Sequence, residues 1–92
     1  MDYLEESRKK MEEARKLSEL EFFKRFEETI KYMENATSIS NVVYSLHAFS
    51  ELNEIFEIFN RIGGITDKDR HIRLIDEATR VTTSTTRRFG LY

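Results

Sequence analysis

Few residues in this chain are equipped for chemistry. Two histidines are present, His47 and His71, and there is no cysteine, which removes disulfide frameworks and thiolate chemistry. His47 precedes Glu51 and Glu54 by four and seven residues. On a helix these three share a face, and an imidazole beside carboxylates can bind a divalent cation. No second helix supplies a matching Glu-x-x-His, so the simpler reading is a surface imidazole beside Glu51, and no metal site is assigned. His71 stands among Asp67, Asp69, Arg70 and Arg73 and also reads as a surface residue. Gly63-Gly64 is not part of a phosphate loop, because no Gly-x-x-x-x-Gly-Lys-[Ser/Thr] occurs. No Gly-x-Ser-x-Gly turn exposes a nucleophile. Carboxylates are plentiful but fall on faces that read as solvated. The chain is therefore read as non-enzymatic, with no catalytic residue, metal or cofactor.

The C-terminal third holds the best set for binding an anion. Arg87 and Arg88 can make bidentate contacts to phosphate, and Thr85 and Thr86 can donate hydroxyls to phosphate oxygens. Phe89 and Tyr92 can stack on a base or fill an apolar groove, and Arg80 precedes them. These seven residues, Arg80, Thr85, Thr86, Arg87, Arg88, Phe89 and Tyr92, make a candidate site for a small anionic ligand such as a nucleotide.

Helices must position these groups. Proline is absent, glycine is scarce and charged residues make up 35% of the chain, a composition that suits long helices. From Ser40 to Gly64, Val42, Leu46, Phe49 and Phe56 recur at helical spacing with Phe59 on their flank, interrupted by Asn53. Ala48, Leu52, Ile55, Phe59 and Ile62 form a second row beside them. A central helix over 41–62 follows, capped by Ser40 and stopped by Gly63-Gly64.

Residues 3–34 read as one long helix, rich in good helix formers. Glu5–Lys9, Glu6–Lys10, Glu12–Lys16, Glu21–Arg25 and Glu27–Lys31 are acid-before-base pairs at i,i+4. Its first half is a charged arm. Its second half, from Leu20 onward with Phe22, Phe23, Phe26, Ile30, Tyr32 and Met33, is a core face. At a rise of about 1.5 Å per residue it would span roughly 48 Å against roughly 33 Å for the central helix, so the two cannot cover each other fully. Asn35-Ala36-Thr37-Ser38 is a short polar connection that favours antiparallel neighbours. Its match to a glycosylation acceptor means nothing without secretion.

Thr66 with Asp69 resembles a capping box. Ile72, Ile75, Ala78, Thr79 and then Val81 or Thr82 mark a third helix over 67–81. The hydroxyl run Thr82–Thr86 competes for backbone hydrogen bonds, so an extended tail is expected over 82–92.

The expected architecture is a single all-α domain over 1–92: a long N-terminal helix and a central helix in an antiparallel hairpin, a shorter third helix and an extended C-terminal tail. No run reaches the roughly 18 apolar residues of a membrane span. MDYLEESRKK lacks the apolar core of a secretory signal, and a cytoplasmic protein is expected. The net charge of −2 argues against a nucleic-acid partner. Phe22 and Phe23 are adjacent and point about 100° apart, so both cannot face one neighbour. With Leu20, Phe26, Phe56 and Phe59 they make a candidate subunit interface. The functional expectation is a small interaction protein that associates with itself and binds another protein as an inhibitor, adaptor or assembly factor. Binding of a small anionic ligand is the alternative.

Overall fold

The long helix expected over 3–34 is divided at Ser18. The computed structural model describes residues 3–16, 18–62 and 65–91, and these build four helices: α1 Tyr3–Lys16, α2 Glu19–Glu34, α3 Ile39–Ile62 and α4 Lys68–Arg88. There is no strand among the described residues. Ser18 has extended backbone angles and its hydroxyl accepts from the Glu21 N–H at 3.1 Å. That is an N-cap, and it begins a new helix where propensity alone would have continued the old one.

α2 is the centre of the fold. Its buried residues Phe22, Phe23, Phe26, Ile30 and Met33 serve two neighbours at once. Toward α3, Phe22 meets Phe56 and Phe59 with ring centroids 6.4 and 5.7 Å apart, and Phe26 meets Phe49 at 5.7 Å. As α2 advances α3 recedes, so the two run antiparallel. Toward α4, the Arg70 guanidinium lies 4.8 Å over the Phe23 ring and pairs with Glu27 at 2.9 Å. The two directions demanded by adjacent phenylalanines are therefore α3 and α4 of the same chain. The core closes with Val42, Leu52 and Ile55 from α3, Ile65 from the connection, and Leu74, Ala78 and Val81 from α4.

α1 packs on α3. Lys10 pairs with Glu54 of α3 rather than with Glu6 of its own helix, as Glu27 pairs with Arg70 rather than with Lys31. The loop into α3 is capped by Ser38, not Ser40. The Ser38 hydroxyl accepts from the Asn41 N–H at 3.3 Å, and the Asn41 carboxamide oxygen accepts from the Thr37 N–H at 3.2 Å. The pair resembles a capping box, except that the Asn41 side chain reaches the residue before the cap. The Gly63-Gly64 stop expected for the central helix lies outside the described residues, as does Tyr92.

The hydroxyl run is helical. α4 continues through Thr82–Thr86 to Arg88, seven residues beyond the expected end at 81 and through most of the expected tail. Gly90, at φ +70°, then ends it. The Gly90 N–H donates to the Arg87 carbonyl at 3.0 Å and the Leu91 N–H to the Thr86 carbonyl at 2.9 Å. Those two bonds are a Schellman stop, whose left-handed residue glycine adopts without steric cost.

Candidate docking groove

α4 is strapped to α2 at both ends. At the start, the Glu19 carboxylate accepts from the Thr66 N–H at 2.9 Å, the Thr66 hydroxyl at 2.9 Å and the Asp67 N–H at 2.8 Å. The Asp67 bond, followed by those from Thr66, holds the Glu19 carboxyl below its ordinary range. Asp67, not Thr66, is the helix cap, accepting from the Arg70 N–H at 3.1 Å. At the other end, the Arg88 guanidinium donates to the Ala36 carbonyl at 2.8 Å and lies 5.2 Å over the Phe89 ring. The Thr85 hydroxyl, buried, donates to the Met33 carbonyl at 3.4 Å.

This arrangement decides what the C-terminal candidates are doing. Arg88 and Thr85 are bound to backbone carbonyls of the chain. Phe89 packs against the core. The Thr86 hydroxyl bonds back to the Thr82 carbonyl at 2.9 Å, and Arg80 lies 3.9 Å from Glu77. Arg87 is exposed beside them. Among the described residues, Arg80, Thr85, Thr86, Arg87 and Arg88 are spread around the last turns of α4, with Phe89 at its cap. Of the aromatic interface candidates, Phe22, Phe23, Phe26 and Phe59 are buried in the core and Phe56 is packed against it. Leu20 is exposed.

His71 is not a surface residue. Only 4% exposed, it stacks on Phe56 of α3 with centroids 3.6 Å apart and planes 13° from parallel, and it touches Phe22 and Phe26 of α2. Burial pushes its pKa down, and its Nε2 has no hydrogen-bond partner. His47 is exposed, and Glu54, which shares its face, is engaged by Lys10. Among the described residues no three histidine or carboxylate groups converge to hold a metal ion.

His71 and Phe56 wedge α3 and α4 together at one end. Beyond them a groove of about 260 Å³ lies between the two helices, with Phe26 of α2 in its floor. Leu46, Phe49 and Asn53 of α3 form one wall, and Ile75, Ala78 and three threonines of α4 form the other. Leu46 is 42% exposed, Ile75 37% and Ile72, one turn before it, 56%. Ile39 and Val43 extend the Leu46 wall at helical spacing and are half-exposed. No charged side chain lines the groove. The hydroxyl of Thr79 is spent on the Ile75 carbonyl at 2.9 Å. Satisfied inside its own helix, that hydroxyl needs nothing from a partner.

A larger basin of about 480 Å³ opens between α2 and α3. Arg25, Glu28 and Glu51 line it together with Tyr32 and Tyr44, whose rings are 5.2 Å apart. It carries both signs of charge along its lining, so it lacks the apolar character that marks a binding surface. The groove has that character, and the sequence pattern contained it. α4 carries two stripes. His71, Leu74, Ala78, Val81 and Thr85 are spaced by three and four residues and are buried. The stripe expected from the sequence mixes the two: Ala78 and Val81 are buried in the core, Ile75, Thr79 and Thr82 line the groove, and Ile72 is exposed one turn before them. Comparison with protein-family models, with curated proteins and with solved structures returned no match, so the functional reading rests on this geometry.

Proposed function

We propose that the chain is a small non-enzymatic interaction protein that works by burying the α3–α4 groove against another polypeptide surface. One observation carries this reading. In a chain with 35% charged residues, two helices hold half-exposed aliphatic side chains along a charge-free cleft that the chain itself leaves open. Contiguous exposed apolar surface of this kind marks sites of association, and removing charge from the centre of a contact is the compositional signature of an interface core. A role as inhibitor, adaptor or assembly factor fits such a surface. The competing reading, a binder of a small anionic ligand, is weakened because Thr85 and Arg88 are spent on backbone carbonyls.

The test is site-specific photo-crosslinking in cells that make the protein. A benzophenone amino acid placed at Thr79 should yield a discrete polypeptide adduct. The same group at Arg25, on the polar basin, should not. No adduct from position 79, or equal adducts from both positions, overturns the reading.

A further inference from the structure

We infer that the occupant of the groove is a second copy of this chain, in a two-fold dimer in which each copy's Leu46 enters the other's groove. The inference rests on the reading above and names the partner it leaves open.

The first argument is shape. The ridge and the groove are neighbours on one face. Ile39, Val43 and Leu46 stand along the rim of α3, and the cleft lined by Phe49 and Ile75 begins beside them. A surface carrying a knob next to the hole that fits it is self-complementary. A two-fold axis through their boundary satisfies both at once.

The second argument is charge. In an isologous contact, each group near the axis meets its own kind, so a charge there is repelled by its copy. The groove lining has none. A groove built for an acidic or basic peptide would place the opposite charge along its walls, and these walls offer only aliphatic, aromatic, threonine and asparagine side chains. Asn53 is the one carboxamide among them, and it makes no hydrogen bond within the described residues. A carboxamide is donor and acceptor together, so it can pair with its own copy, and a single polar residue in an apolar contact fixes register.

Sedimentation equilibrium on the purified full chain, from about 1 to 200 μM, tests this. The wild type should approach twice the 11.0 kDa chain mass within that range. Leu46→Lys carries a charge into the partner's apolar groove and Thr79→Arg sets one on the groove wall, and each should weaken association at least tenfold. Both sites are exposed, so both variants should keep the helical circular dichroism and the unfolding midpoint of dilute wild type. A wild type that stays monomeric at 200 μM overturns the inference, as does a dimer that neither variant weakens. In either case, a crosslink from position 79 to a different polypeptide leaves the docking reading standing. Absence of any such crosslink removes both.

Discussion

His71 and Phe56 stack face to face, with ring centroids 3.6 Å apart and planes inclined by 13°. This contact joins α3 to α4 at the closed end of the groove. An imidazole serves there only while it is neutral, because Phe22, Phe26 and Phe56 surround it with apolar rings. Its Nε2, buried without a partner, has no carboxylate to stabilise a second proton.

Stability should therefore fall on acidification. The folded state holds the His71 pKa below its ordinary 6.5, so the unfolded chain takes up the proton first. Stability is complete above about pH 6.5 and declines below it, by no more than about 1.4 kcal/mol per pH unit for one group. His71→Phe should remove this limb and match or exceed wild-type stability at pH 7, since it replaces an unsatisfied buried nitrogen. Urea unfolding at pH 7, 6 and 5 reads both effects. Parallel pH profiles for variant and wild type would refute the assignment.

Glu19 acts in the same direction at lower pH. Its pKa lies below the ordinary 4.5, so the stability it contributes is present above that value and lost as pH falls through the folded value. Glu19→Gln keeps the shape but weakens three hydrogen bonds to Thr66 and Asp67. Because the site is half open to water, a cost of about 1 kcal/mol is expected at pH 7, with a flatter profile below pH 4.5. Chemical denaturation across pH 3–7 measures it.

The core should be unforgiving at Phe22. It is fully buried and meets Phe23, Phe26, Phe56, Phe59 and His71. Phe22→Ala should cost about 3–5 kcal/mol, a large share of the roughly 5–15 kcal/mol that holds a domain. Its unfolding midpoint in urea should drop accordingly. A shift equivalent to less than about 1 kcal/mol would mean that the aromatic cluster is not the core.

The all-α class was legible because helical spacing survives any tertiary arrangement. Phe22, Phe23 and Phe26 announced a core face, and Val42, Phe49 and Phe59 announced its partner. The break at Ser18 was hidden, since an N-cap can be recognised only when the preceding turn is known to stop. The end of α4 was written more plainly. Arg87 and Arg88 in a last turn followed by Gly90 are a helix stop, but the threonine run argued louder. Threonines tolerate this helix because Thr79 and Thr86 bond back to carbonyls of their own helix and Thr85 reaches the Met33 carbonyl. His71 was misplaced because its neighbours in sequence are charged, whereas its neighbours in space are phenylalanines. The stripe of α4 ran together buried Ala78 and Val81 with exposed Ile72, Ile75 and Thr79 for a related reason. Two apolar stripes on one helix look alike until the helices on either side are known.

The most labile element should be α1. Tyr3 and Leu4 at its start are exposed, and its Lys10–Glu54 pair lies at the surface of α3. Surface ion pairs of this kind contribute little. The Lys10 amine is held above its ordinary value chiefly by its hydrogen bond to Glu54, so the pair persists across neutral pH but is screened by salt. Hydrogen exchange read by mass spectrometry should show peptides within 3–16 exchanging at least a hundredfold faster than peptides within 19–34, whose side chains fill the core. Raising the salt to about 0.5 M should accelerate the first group and leave the second unchanged. Equal protection of α1 and α2 would show instead that the N-terminal helix is anchored by more than its contact with α3.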